Sequence, residues 1–398
     1  MDGQIDEARQ LDHWLNQIRY TPTAIEPLIS VTYECNFACP YCIQEGVKGR
    51  KLRMDEEMSK KTAVWMIHKA EHLRVNELKP TYYGGEPLLN VDAIETISRM
   101  LLDYAEKKGK TYRLNMITNG SLLTEKVLQR LLPLNFNGAK ITLDGPREVH
   151  DKKRPYVGDR GSFDKLMENI ENAIDRIQIK INFNFDFDNA SYLPALLDEL
   201  EKRGLKEKIV EIELSPLIGN YEAKNVTYQV QQGCLSISEK GITDLMIDLR
   251  RIVQKRGFRM KPALGVNVCE VMQSEGYFLI DPFGAIYRCP ALVGRKEFQV
   301  GTVDSPNFNA LYTKMMTMDM WKDENCYECQ FAPMCAGGCR YLTYIRTDNF
   351  FKADCEKPLF QRATEAFAKI DYEKIVDSKK KKAAGEKPAL VSTAKDYY

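Results

Sequence analysis

From residue 27 onwards the apolar residues fall into two alternating kinds of run. Short, nearly continuous blocks at 27–33, 79–83, 112–118, 139–143, 177–185 and 209–214 have the length and composition of buried strands. Between them lie longer stretches whose apolar positions are three and four apart. Over 91–105, Ile94, Ile97, Leu101 and Tyr104 share one helical face; over 191–203, Leu193, Leu196, Leu197 and Leu200 do the same before Gly204 ends the helix. Further helices are predicted at 124–132, 162–174 and 238–255, with another after the basic stretch 48–53, capped by Ser59. Residues 11–18 read as a short helix ahead of the first strand. Six strand–helix units with right-handed crossovers make a parallel sheet, and the class is therefore α/β: a partial (β/α)6 TIM-type barrel. In such barrels the chemistry sits at the C-terminal ends of the strands.

Beyond about 258 the alternation stops. Residues 277–288 alternate around Asp281-Pro282-Phe283-Gly284, a β-hairpin pattern. A helix is predicted over 358–371, and the Lys-, Ala- and Gly-rich tail from Ser378 reads as disordered. The expected division is a helical extension (1–26), a barrel (27–257), a cysteine-rich module (258–357), a C-terminal helix (358–377) and a tail (378–398).

Composition narrows the class. A net charge of +1 over 398 residues offers no basic face for nucleic acid or an anionic membrane. The N-terminus has no basic start followed by an apolar run, and no stretch approaches the ~20 apolar residues of a membrane span, so a cytoplasmic protein is expected. Eleven cysteines against four histidines is the unusual feature. The cysteine count is odd and no secretion signal supports disulfides, which makes metal ligation the better default. Ten cysteines fall into tight groups; Cys234 stands apart, as a small buried hydrophobe would.

Cys35, Cys39 and Cys42 follow the first strand directly, separated by three and two residues. Three soft thiolates that close together can wrap three corners of a four-iron cube and leave one iron open to a chelating co-substrate. The second strand ends in Tyr83-Gly84-Gly85-Glu86-Pro87, where glycines let a backbone approach a ligand closely. The third ends in Thr118-Asn119-Gly120. The fourth runs into Leu143-Asp144-Gly145-Pro146, followed by His150, Asp151 and Arg154. Singly, each of these is ordinary turn chemistry. Together, and with the aromatic Tyr41 before the third cysteine, they resemble the radical S-adenosylmethionine (SAM) superfamily. The resemblance implies that Cys35, Cys39 and Cys42 hold a [4Fe-4S] cluster. It further implies that Tyr41, Gly84, Gly85 and Glu86 belong to the SAM site, that Asn119 contacts the SAM ribose, and that Arg154 reaches the SAM carboxylate in bidentate fashion.

The remaining grouped cysteines are Cys269, Cys289, Cys326, Cys329, Cys335, Cys339 and Cys355. On spacing alone, Cys326 to Cys339 suits a structural zinc pair as well as iron and sulfur. The whole series, with Gly284 five residues before Cys289, resembles the SPASM extension of radical SAM enzymes. That resemblance implies two auxiliary iron–sulfur clusters, expected to be [4Fe-4S] in kind: Cys269, Cys289 and Cys339 for the first; Cys326, Cys329, Cys335 and Cys355 for the second. Residues 261–268, where some relatives supply a further ligand to the first, contain no thiol. A substrate thiolate, Cys234 or a non-cysteine side chain are the candidates for that place.

The implied activity is reductive cleavage of SAM to a 5′-deoxyadenosyl radical that takes hydrogen from an unactivated C–H bond. No catalytic side chain is singled out, because hydrogen-atom abstraction needs no protein base. The leading expectation is a maturase that forms a thioether or carbon–carbon crosslink in a ribosomally synthesised peptide. The implied partners are that peptide or protein substrate, a separate peptide-recognition protein, and flavodoxin or ferredoxin as electron donor. Alternatives are oxidation of Cys or Ser in sulfatases to formylglycine, a SPASM-type dehydrogenase, and, in another class, a non-catalytic iron–sulfur or zinc protein. Against formylglycine formation, Pro290 occupies the place where sulfatase-maturing relatives carry an aspartate base, so another base such as Asp281 would have to serve.

Overall fold

The computed structural model describes residues 7–44, 47, 51–217, 241–265, 269, 271, 274–318 and 326–383. Six strands run parallel and in sequence order: β1 (Leu28–Thr32), β2 (Thr81–Gly84), β3 (Leu114–Thr118), β4 (Phe136–Thr142), β5 (Gln178–Phe185) and β6 (Glu211–Pro216). All five residues of β1 are buried, as expected of a strand covered on both faces. The register between β1 and β2 shifts between Ser30 and Thr32, where β1 enters the cysteine loop. A small parallel sheet of Ala24–Ile25, Glu77–Leu78 and Thr111–Tyr112 lies at the opposite end, just before β1, β2 and β3. The expected partial barrel is thus present.

The helices follow the predicted order: α1 (Glu7–Tyr20), α2 (Glu56–His72), α3 (Val91–Lys108), α4 (Glu125–Leu131), α5 (Arg147–Lys153), α6 (Phe163–Ala173), α7 (Leu193–Lys202) and α8 (Ile242–Lys255). Ser59 does not cap α2. Asp55 does, its Oδ1 accepting the Met58 N–H at 2.8 Å, while Ser59 is buried in the first turn and donates back to the Asp55 carbonyl. The short α5 was not anticipated, and it carries His150 and Asp151.

The hairpin is Leu279–Ile280 with Ala285–Tyr287. Its first strand also pairs in parallel with β1, Leu279 opposite Leu28 and Ile280 opposite Ile29. A third strand, Gly301–Thr302, makes the sheet nine-stranded. The cysteine-rich module therefore continues the barrel's own sheet and covers the edge that β1 would otherwise expose. Phe278 anchors it, meeting Trp65 of α2 edge-on at 5.1 Å and stacking on Phe308 at 5.5 Å.

Helix α1 docks on the module: the buried Arg19 donates to the Met318 carbonyl at 3.1 Å. The C-terminal helix, Lys357–Ala383, runs past the expected end near 371 and into the stretch expected to be disordered from Ser378. Its Ala363, Phe367 and Ile370 pack on Ile247 of α8, Arg362 pairs with Asp244 at 2.7 Å, and Asp371 accepts the Ala263 and Leu264 N–H groups. In the extra turns Lys374 donates to the Met260 carbonyl and Glu373 accepts from Gln254 Nε2 of α8 at 3.4 Å, so tertiary contact continues where the composition turns polar. Cys234, the rest of the tail and residues 48–50 of the basic stretch lie outside the described residues. Among the described residues no helix is long and apolar enough to cross a membrane.

Candidate functional site

The cysteine loop leaves β1 at the C-terminal end of the sheet and is held from both sides. On one side Asn36 donates to Ser121 Oγ at 2.9 Å and accepts from Asn119 Nδ2 at 2.8 Å. On the other, the Ala38 N–H donates to the Pro155 carbonyl, the Val157 N–H to that of Asn36, and Phe37 meets Tyr156 edge-on at 4.9 Å. Cys35 opens on a cavity of about 1170 Å³ that Cys42 and Gly85 also line. The protein around it nevertheless raises its thiol to about 12, chiefly by burial, with Glu86, Cys39 and Cys42 adding to the effect. Three thiols this close resist losing their protons together, and a cationic iron group would relieve that by taking them as thiolates, so the donor set fits it.

Gly84 and Gly85 are dictated by backbone proximity. A Cβ on Gly84 would stand 2.3 Å from the Thr32 carbonyl oxygen, at a φ of +130°; one on Gly85 would stand 2.1 Å from that of Glu34. Glu86 is wholly buried and does not face the cavity as a free carboxylate. Its Oε1 accepts Thr118 Oγ1 at 2.7 Å and the Leu88 N–H at 3.0 Å, and Oε2 accepts the Asn119 N–H at 2.7 Å. Burial raises its pKa and these bonds pull it back, so the carboxylate locks the end of β2 to the end of β3. Asn119, the expected ribose contact, commits its Oδ1 to Ser121 N–H and Oγ, and its Nδ2 to Asn36.

Behind the loop lies a buried polar group. The Tyr41 hydroxyl donates to Asp144 and accepts from Arg154 Nη1 at 2.8 Å, with Asn184 Nδ2 at 3.4 Å. Burial opposes the charge on Arg154, but Tyr41, Cys39 and Asp144 hold it protonated. Its Nε has no partner among the described residues. Arg154 thus sits beside Cys39 with a donor to spare, as an anionic ligand would require. His150 accepts the Asp144 N–H at 3.3 Å; burial, then Arg154, pushes it well below its usual pKa, so the ring is neutral.

In the second block, Cys289 precedes the turn Pro290–Leu292, and Cys339 precedes the helix Arg340–Thr347. Cys339 lies in the field of Cys269, and Cys335 in the fields of Glu356 and then Cys326. Burial raises both Cys335 and Cys339 to about 11. None of the ten described cysteines is in a disulfide. No three His, Cys, Asp or Glu side chains among the described residues are grouped closely enough to hold a single metal ion. Gly284 has a φ of +75°, and a Cβ there would meet Met58 Sδ and Val303 Cγ2 at 2.6 Å, so the hairpin turn requires glycine.

Asp281 is part of that turn. Oδ1 accepts the Phe283 and Ala285 N–H groups, both at 2.9 Å, and Oδ2 accepts the Tyr33 hydroxyl at 2.7 Å. Sequence reasoning weighed it as a base but missed the Tyr33 contact, which bridges 248 residues. The partnership of Tyr41 with Asp144 and Arg154 was missed for the same reason; only the occurrence of polar residues in otherwise apolar strand ends signals it.

Residues 29–200 match the Radical SAM superfamily. The cysteine-type anaerobic sulfatase-maturating enzyme of Clostridium novyi is 24% identical over 328 residues, covering 77% of this chain and 85% of that protein. The Fe-coproporphyrin III synthase of Methanosarcina barkeri is 25% identical over 242 residues, 61% of this chain, and the match spans only 55% of that protein. Among solved structures, native anSMEcpe with bound AdoMet and Kp18Cys peptide superposes with a TM-score of 0.68 at 17% identity, covering 89% of this chain and 98% of that one. Residues 29–200 of the chain therefore carry a radical SAM domain. The chain's fold is that of the members with a C-terminal SPASM module.

Proposed function

We propose that this enzyme is a maturase that forms a thioether or carbon–carbon crosslink in a ribosomally synthesised peptide. The observation that carries the reading is the strand pairing of Leu279–Ile280 with β1, which joins the second cysteine block rigidly to the cysteine loop. Closing such a crosslink removes two hydrogens from the peptide, and an enzyme that does this needs a second redox site in fixed relation to the first. The Kp18Cys peptide bound to anSMEcpe supports a peptide substrate for a chain of this fold.

Cys35, Cys39 and Cys42 would hold the SAM-site cluster, and the two later sets the auxiliary clusters. When bound, the SAM-site cluster and SAM supply one-electron reductive cleavage and hydrogen-atom abstraction. The chain's own residues orient. Gly84 and Gly85 let the end of β2 lie against the cysteine loop, Glu86 fixes β2 to β3, and the Tyr41–Asp144–Arg154 group holds the back of the loop. Arg154 keeps a charged donor for the SAM carboxylate, and Asn119 can serve the ribose by exchanging its contact with Asn36. Flavodoxin or ferredoxin would supply the electron, and a separate recognition protein would deliver the peptide.

Likeness to the sulfatase-maturating enzyme favours formylglycine formation as a second reading. Pro290 and the full engagement of Asp281 weigh against it.

The test is anaerobic reconstitution with iron and sulfide, then reduction with SAM and peptides encoded by neighbouring reading frames. Wild type is expected to form 5′-deoxyadenosine, and a Cys35/Cys39/Cys42→Ala variant to lose that activity and the SAM-site iron while keeping auxiliary iron. A peptide lighter by two hydrogens with its sulfur retained supports the crosslink. Loss of sulfur with gain of oxygen at one cysteine establishes the second reading instead. Full activity on intact precursor without any partner would overturn the recognition-protein element.

A further inference from the structure

β5 ends at Phe185, and the loop after it carries two polar side chains that the fold buries almost completely: Asp186 is 2% and Asn189 1% exposed. Asp186 Oδ1 accepts the Asp188 and Asn189 N–H groups at 3.1 and 3.0 Å, and its Oδ2 accepts from Lys153 Nζ. Asn189 Oδ1 accepts the Asp186 N–H at 2.8 Å, while its Nδ2 donates to the Asp144 and Asn184 carbonyls, each at 2.8 Å. The bonds inside the loop are those of an ordinary turn. The bonds to Asp144 and Lys153 leave it, for the end of β4 and for α5. Asp144 is the carboxylate of the Tyr41–Asp144–Arg154 group, and the Asn184 N–H donates to its Oδ1 at 3.2 Å. Lys153 is the last residue of α5, and Arg154 follows it. One loop therefore pins the stretch 144–154 at both ends: Asp144 through Asn189, and the backbone that carries Arg154 through the Asp186–Lys153 pair.

We propose that the Asp186–Lys153 pair is a positioning device for SAM: from a loop anchored by Asn189 it sets where Arg154 stands, so that the guanidinium meets the SAM carboxylate without rearrangement. The inference rests on reading Arg154 as the partner of that carboxylate. Holding a charged donor in place before its ligand arrives removes an ordering cost from binding. A buried ion pair adds little stability over apolar residues of the same volume, which leaves placement as its contribution here. Charge and placement make opposite demands on one variant. Losing Asp186 leaves the surroundings of Arg154 more positive, and by charge alone that would tighten an anion, whereas losing Lys153 would loosen it. Through placement, both losses weaken SAM.

The experiment measures SAM binding by equilibrium dialysis on the full-length, anaerobically reconstituted enzyme, with iron analysis of each variant. At wild-type iron content, Asp186→Asn and Lys153→Met should each raise the Kd for SAM by about 10-fold, and Lys153→Arg, which keeps the pair, should hold it within about 2-fold of wild type. Hydrogen exchange over 150–157 in the SAM-free enzyme should quicken in the first two, since the Arg154 N–H donates to the His150 carbonyl at 2.7 Å. An Arg154→Gln/Asp186→Asn double variant should bind SAM no more weakly than Arg154→Gln. Opposite shifts in Asp186→Asn and Lys153→Met, an unmoved Kd in either, or additive losses in the double variant overturn the proposal. If Asp186→Asn fails to retain iron, the two Lys153 variants decide. Weakened SAM with quicker exchange in Lys153→Met, against wild-type values in Lys153→Arg, upholds the proposal; equal binding in the two, or unchanged exchange, overturns it. An Arg154→Gln variant that binds SAM as wild type does defeats the parent reading too, and shows it independently of any change at Asp186 or Lys153.

Discussion

Gly85 and Asp281 represent two kinds of demand on single residues. At Gly85 the demand is steric: a methyl group would meet the Glu34 carbonyl at 2.1 Å, and neither backbone can yield without moving the cysteine loop. Gly85→Ala is expected to cost about 1–3 kcal/mol in thermal unfolding of the iron-free protein and to weaken SAM binding. At Asp281 the demand is polar. Asp281→Asn keeps an acceptor for the Phe283 and Ala285 N–H groups and can donate to Tyr33, so turnover should be retained; a loss of about 10²-fold or more would mark a general base. The same variant has a pH signature. Burial raises the Asp281 carboxyl above 3.8, so the fold holds that proton more tightly than the unfolded chain does. Its contribution is full below 3.8 and is lost as pH rises through the folded value. Asp281→Asn should gain stability relative to wild type across that rise, read from urea midpoints at a series of pH values.

At the scale of elements, the union of hairpin and barrel depends on few side chains. Phe278 is fully buried between Trp65 of α2 and Phe308, and strand pairing alone is only two residues long on this side of β1. Phe278→Ala should cost about 3–5 kcal/mol and loosen the module ahead of the barrel, seen as early loss of hydrogen-exchange protection at Leu279 and Ile280. The apolar blocks made β1 to β6 legible in advance, because a strand buried on both faces has a distinctive composition. The cap of α2 was not, because Asp55 and Ser59 are both good cap residues and only the path of the chain chooses between them. The C-terminal helix was underestimated, because its stability comes from α8 rather than from its own sequence.

At the scale of the molecule, barrel and module share one sheet and one core. A chain ending at residue 257 would leave β1 with an unpaired, wholly buried edge, and it should aggregate where the full chain stays monodisperse in size-exclusion chromatography.

The sequence by itself determined where the candidate chemistry lies. Cysteine spacing, paired glycines and the alternation of strand and helix are local, and local patterns survive in one dimension. It also indicated that the loops at the ends of β1, β2, β3 and β4 meet, since parallel strands in sequence order place their C-terminal ends together. Only the tertiary structure decided what each polar residue does there. Glu86 is a lock between strands, and Asp281 a turn residue tied to Tyr33. Their partners are far away along the chain, and the strength of a charge or hydrogen bond depends on burial, which no spacing in the sequence encodes.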